Sequence, residues 1–83
     1  MIEEETLYNV FVDTLQELIE SSIAGDKDEV PRIRKRLDEM IRYASVELGL
    51  PITAISAMKN AELRTRETIK ELIVLQKRLF FRV

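Results

Sequence analysis

Carboxylates are the side chains whose spacing in this sequence first suggests chemistry. Glu17 and Glu20 lie about one helical turn apart, and Asp38 and Glu39 are adjacent. Paired carboxylates carry out general acid–base catalysis when a cleft desolvates one member beside a defined partner. The first pair falls on an acidic, outward-facing surface, and the second lies within a run of basic residues. We therefore expect no acid–base catalysis from either pair.

Nucleophilic, metal and phosphate chemistry find equally little support. The chain contains no His and no Cys, which removes the commonest general base, the commonest transition-metal ligand and every thiolate site. Its serines have no imidazole to activate them, and no glycine-rich phosphate loop occurs. Asp26, Asp28 and Glu29 alternate as in a calcium loop, but the other ligands of such a loop are missing. We predict a protein that is not an enzyme, with no metal, cofactor or small-molecule substrate.

Length and composition indicate one small globular domain. The chain has 83 residues, of which 46% are hydrophobic and 34% charged, and this balance is globular and not disordered. The longest uninterrupted apolar run is only Leu72 to Leu75, far short of a membrane span. The acidic N-terminus does not resemble a secretory signal. Because the absence of Cys fits a reducing compartment, we expect a cytoplasmic protein. Because its apolar runs are short, we also expect it not to bind membranes.

Hydrophobic periodicity predicts an all-α fold. Apolar residues recur with the helical period over about 6–23, 30–48 and 53–80. Gly25 and the sequence Gly49-Leu50-Pro51 supply the two breaks, and Pro31 suits a first helical turn. The sequence thus predicts a single domain, residues 1–83, that forms a three-helix bundle, or a four-helix bundle if the last segment breaks.

The length of the third segment leaves two alternatives open. As one continuous helix it would measure about 42 Å, whereas a compact chain of this size has a diameter of roughly 30 Å. Either the segment breaks at 61–68, as the capping-box pattern from Thr68 to Glu71 favours, or its end projects and packs on another chain.

The C-terminal part of this segment favours packing on another chain. One apolar stripe is formed there by Ile69, Leu72, Ile73, Leu75, Leu79 and Phe80. Val74 and Phe81 fall on the opposite side of the helix. A helix that is apolar on two faces is usually sandwiched between others. We therefore predict that these eight residues form an oligomer interface, that the chain is a homo-oligomer, preferably a dimer, and that a second protein is a further possible partner.

Charge is distributed unevenly along the chain. Residues 1–30 carry nine acids and one base, residues 31–50 five bases and three acids, and residues 51–83 seven bases and three acids. The acidic first helix could simply lie against the basic remainder. Alternatively, the basic part could face a polyanion such as double-stranded DNA.

Residues 44–60 contain a recognisable local pattern. Ser45 lies four residues before Gly49. Apolar residues flank this glycine and recur six and nine positions after it, at Leu48, Leu50, Ile55 and Met58. The segment resembles a helix-turn-helix of the repressor type, which implies that the helix from about Thr53 enters the major groove. The DNA-binding residues that the resemblance implies are Thr53, Ser56, Lys59, Asn60, Arg64 and Arg66.

The same small, glycine and apolar residues also suit an ordinary helical hairpin with a Gly-Leu-Pro turn. The sequence therefore supports two hypotheses about function. The first is a non-enzymatic interaction or assembly protein that acts through a homo-oligomeric helix bundle. The alternative is a dimeric helix-turn-helix protein that binds DNA as a regulator or accessory factor. The two are compatible, because repressor-type motifs usually act as dimers.

Overall fold

Three helices make up the protein, as seen in a computed structural model that describes residues 3–80. Helix α1 spans Glu4–Ile23, α2 spans Glu29–Val46 and α3 spans Ile52–Phe80. The prediction of an all-α three-helix bundle is confirmed. Helix α1 begins two residues earlier than the pattern indicated because Glu4 and Glu5 occupy its first turn, where the helix dipole favours acidic side chains.

One continuous core holds the bundle together. Each helix contributes the residues that its periodicity places on one face, and every pair of helices is in contact. The buried apolar side chains are Leu7, Phe11, Leu15, Leu18, Ile33, Leu37, Ile41, Ala44, Ile55, Met58 and Ile69. Thr14 is also buried, and its hydroxyl donates to the Val10 carbonyl at 2.7 Å. That bond satisfies the only polar group that Thr14 brings into the core.

The first connection is a tight turn fixed by glycine. Gly25 has φ of 72°, and its N–H donates to the Ser22 carbonyl while Asp26 N–H donates to that of Ser21. This pair of bonds is the Schellman motif, which ends a helix with a left-handed residue. Asp26 lies three residues before α2, and its carboxylate accepts hydrogen bonds from the backbone N–H of Asp28 and Glu29, which hold the turn that leads into the helix.

The second connection turns at Gly49. Here φ is 59°, a conformation that glycine adopts without steric cost. Leu48 N–H donates to the Tyr43 carbonyl and Leu50 N–H to that of Ala44. These wider bonds end α2 at Val46, two residues before the predicted position of about 48.

Helix α3 runs without interruption through residues 61–68. Of the two alternatives left open by the sequence, the structure therefore shows a continuous helix whose end projects, and no break. Two side-chain contacts form within the helix along this stretch. Thr65 donates to the Ala61 carbonyl at 2.8 Å, and Arg66 pairs with Glu62, although the buried Nε of Arg66 has no hydrogen-bond partner among the described residues. The ion pair between residues four apart supports a continuous helix here.

The continuous helix makes the molecule elongated. Its extents are 53 × 24 × 16 Å and its radius of gyration is 14.8 Å, against about 12 Å for a compact chain of this length. At 1.5 Å per residue, α3 measures about 44 Å, whereas α1 and α2 measure about 30 and 27 Å. The last turns of α3 therefore extend beyond the other two helices.

Candidate interaction surface

The end of α3, residues 74–80, extends past the bundle and carries exposed apolar side chains. We call this segment the α3 end. The connection between α1 and α2, including Gly25 and Lys27, lies over a groove shared with Ile69 and Ile73. Beyond that level α3 has no neighbouring helix. The exposed fractions of the apolar residues there are 48% for Val74, 52% for Leu75, 68% for Leu79 and 76% for Phe80.

The predicted interface residues fall into three groups. Ile69 is only 7% exposed and belongs to the core of its own chain, so its assignment to an exposed interface is corrected. Leu72 and Ile73 are half-buried at the edge of that core. The apolar residues of the α3 end are exposed, because they lie beyond the C-terminus of α1 and the N-terminus of α2. Phe81 lies outside the described residues.

A second apolar surface lies between α1 and α3, and we call it the α1/α3 groove. All eight residues that line it have apolar or aromatic side chains. They are Tyr8, Phe11, Val12 and Leu15 of α1 and Ala54, Ala57, Met58 and Ala61 of α3. The three alanines of α3 leave room that larger side chains would fill. Val12 and Ala57 are exposed along this groove, so apolar surface faces solvent there as well.

Two polar contacts involve side chains of α1, one within the helix and one to α2. The Tyr8 hydroxyl donates a hydrogen bond to Glu4 Oε1 at 2.8 Å. This hydrogen bond, with partial desolvation and the negative charge of Glu4, raises the pKa of Tyr8 above its ordinary value. Further along α1, Glu17 Oε2 accepts a hydrogen bond from Arg36 of α2 at 2.7 Å. That ion pair is half exposed, so it adds little to stability.

Glu62 is a buried carboxylate that the periodicity of α3 did not single out. It is 7% exposed and pairs with the guanidinium of Arg66 at 2.5 Å. Both side chains line a groove between α2 and α3 that also contains Asp38, Arg42 and Lys59. An acidic residue between Met58 and Ile69 on the core side of α3 is the sequence signal that could have located it. The Glu62–Arg66 ion pair thus lies at the edge of the core between α2 and α3.

Loss of the cation beside Glu62 should destabilise the bundle. We expect Arg66→Met to lower the free energy of unfolding by about 1–3 kcal/mol, because the buried Glu62 side chain would lose its hydrogen-bond partner. Adding Glu62→Leu should recover this loss, since an apolar side chain suits the site. Urea denaturation of both variants measures the effect. An Arg66→Met variant as stable as the wild type would show that the ion pair contributes nothing.

The predicted DNA-binding residues do not form one surface. Thr53, Ser56, Asn60 and Arg64 are exposed on the outer side of α3. Lys59 and Arg66 instead line the groove that α3 shares with α2, and Arg66 is paired with Glu62. The structure thus brings four of the six residues to one side and places the other two beside α2.

Helices α2 and α3 form an antiparallel hairpin. Ser45 and Val46, at the end of α2, share a groove with Ile55 near the start of α3. Val30, at the start of α2, shares the next groove with Ile73 near the far end of α3. The two helices therefore lie side by side over the length of α2. In a helix-turn-helix the second helix crosses the first at about 90–120°, so the hairpin departs from that arrangement.

Comparison with known proteins finds no match: no family model, no curated protein and no solved structure matches this chain.

Among the described residues, no group of three or more Asp and Glu side chains is placed to hold a metal ion. No helix in residues 3–80 combines the length and apolar character needed to cross a membrane.

Proposed function

We propose that this protein is a non-enzymatic assembly protein that associates with itself through α3. The observation that carries the proposal is the α3 end, which holds exposed Val74, Leu75, Leu79 and Phe80 beyond the reach of α1 and α2. The first partner we expect is a second copy of the same chain, which makes a homodimer.

The free energy of burying the α3 end favours association. Removing one Leu or Phe side chain from water contributes about 1.5–3 kcal/mol. Leu75 and Leu79 lie about one turn apart on the same face of α3, and neighbouring exposed apolar side chains of this kind often mark a protein interface. Because neither α1 nor α2 reaches residues 74–80, we expect a second chain to supply the covering surface.

Double-stranded DNA is the alternative partner. Its support is the exposed row of Thr53, Ser56, Asn60 and Arg64 on α3 together with the basic charge of residues 51–83. The antiparallel hairpin weighs against DNA binding, because α2 packs along α3, whereas a recognition helix must be accessible to enter the major groove. The test is binding to a random DNA duplex. An affinity that falls steeply as salt rises, and that also falls in the Lys59→Ala or Arg64→Ala variant, would favour DNA binding over assembly.

A single glutamate at the α3 end tests the assembly proposal. We expect Leu79→Glu to weaken self-association at least tenfold, because a charge buried in an apolar interface without a partner costs more than about 1.4 kcal/mol. Leu79 is 68% exposed, so the substitution should leave the bundle folded. The mass in solution, measured by light scattering over a range of concentrations, gives the result.

The matched control is Ile52→Glu, which adds the same charge to the same helix. Ile52 is 81% exposed at the opposite end of α3, and a glutamate suits the first turn of a helix. This variant should associate like the wild type. Equal association of both variants and the wild type would show that the α3 end is not the interface.

A further inference from the structure

We propose that α3 of one copy packs antiparallel along α3 of a second copy, so that the α3 end of each fills the α1/α3 groove of the other. This inference rests on the proposed self-association and adds its geometry. It identifies the occupant of the groove as the α3 end of the same kind of chain, in a two-fold symmetric dimer.

The groove and the leucines of α3 lie on the same side of that helix. Ala57 and Leu75 are 18 residues apart, which is five full turns of an α-helix. Ala61 and Leu72 are separated by close to three turns, and Ala54 and Leu79 by close to seven. One face of α3 thus carries alanines in its first half and leucines in its second half.

Antiparallel pairing places each leucine opposite an alanine. When Ala61 of one copy faces Leu72 of the other, Ala57 faces Leu75 within one residue, and Ala54 faces Leu79. A single register therefore satisfies all three contacts. At its centre Thr65 faces Thr68 of the second copy, so the middle of the interface holds small polar side chains.

Shape also distinguishes this pairing from a parallel one. In the antiparallel arrangement, large side chains enter a groove bounded by alanines of α3 and by Phe11 and Val12 of α1. A parallel pairing would set leucine against leucine at the α3 ends and leave both grooves empty. Because two-fold symmetry uses every contact twice, each copy contributes both a groove and an end. Four apolar patches are therefore buried in one symmetric interface.

Charge agrees with the antiparallel arrangement. Arg64 and Glu71 are exposed two turns apart on the same flank of this face, and neither forms an ion pair within the described part of its own chain. In the register above, Arg64 lies within two residues of Glu71 of the second copy. Opposite charges therefore meet on both sides of the symmetry axis, whereas a parallel pairing would set Arg64 against Arg64.

Disulfide trapping tests this geometry, because the chain has no cysteine of its own. Ala57→Cys and Leu75→Cys are made as separate variants, and both positions are exposed. The two are mixed under reducing conditions, allowed to exchange subunits and then oxidised. We expect the mixture to form a covalent heterodimer in high yield, and each variant alone to stay largely uncrosslinked.

The distances explain this expectation. In the antiparallel register the two copies of residue 75 are about 26 Å apart, whereas a disulfide needs Cα atoms within about 7 Å. Efficient crosslinking of Leu75→Cys with itself, or any dimer that lacks the mixed disulfide, would overturn the antiparallel arrangement while leaving self-association intact. A monomeric mass for both reduced variants and for the wild type would overturn the proposed function as well.

Discussion

Leu18→Ala should lower the free energy of unfolding by about 2–5 kcal/mol, the range for a buried leucine cut to alanine. Leu18 is fully buried and lies in the core shared by the three helices. The truncation removes apolar contacts and leaves a cavity that a small bundle closes only in part. Urea denaturation followed by far-UV circular dichroism measures the change, and each kcal/mol should lower the Tm by about 4–8 °C.

Val46→Ala is the control for this measurement. Val46 is the last residue of α2 and its side chain is largely exposed, so its truncation should change stability by no more than about 0.5 kcal/mol. Both variants are compared at one protein concentration, because association also stabilises the fold. If Leu18→Ala costs no more than Val46→Ala, the arrangement of the core described above is wrong.

Ala57→Trp should abolish self-association while leaving the bundle folded. Ala57 is exposed in the α1/α3 groove, so an indole there would occupy the space that we assign to Leu75 of a second copy. The indole can lie against Phe11 and Val12, so we expect the variant to keep the far-UV circular dichroism of the folded bundle and to lose only the part of the Tm that association contributes. Because the chain contains no tryptophan, the fluorescence of the introduced residue also reports whether it is shielded from water.

Ser56→Trp is the matched substitution at the neighbouring position. Ser56 is exposed on the outer side of α3, away from the groove. This variant should remain as associated as the wild type when its mass is measured by light scattering. An Ala57→Trp variant that still forms dimers would show that the groove is not occupied by a second copy.

Much of the fold follows from the sequence because helical periodicity is a local signal. The three helices, the turns at Gly25 and Gly49 and most of the core side chains were predictable from spacing alone. The length of α3 was left open, since the capping-box pattern from Thr68 favoured a break. The structure shows one helix from Ile52 to Phe80, so Thr68 and Glu71 lie inside α3 and the capping-box pattern does not start a new helix there.

The candidate surface was only partly predictable, because exposure depends on where the other helices end. The sequence placed apolar residues near the C-terminus, but it could not show that Ile69 is covered by its own chain while Leu79 is not. The sequence does not predict the α1/α3 groove, because alanines at helical spacing are also ordinary helix formers. Its apolar walls come from two helices that are far apart in sequence.

The resemblance of residues 44–60 to a helix-turn-helix illustrates the same limit. A glycine between two apolar stripes determines that the chain turns between two helices. The angle at which the two helices cross depends on the other elements against which they pack. Here α1 contacts both α2 and α3, and the three lie side by side as a bundle. The local pattern was compatible with either geometry, and tertiary packing selected the hairpin.

Sedimentation equilibrium of the wild-type chain is the most direct test of assembly through α3. Over a series of increasing concentrations, the average mass should rise from that of the 9.7 kDa chain towards twice that value, as a monomer–dimer equilibrium requires. A mass equal to that of one chain at every concentration would contradict self-association, and with it both the dimer and the antiparallel pairing of α3.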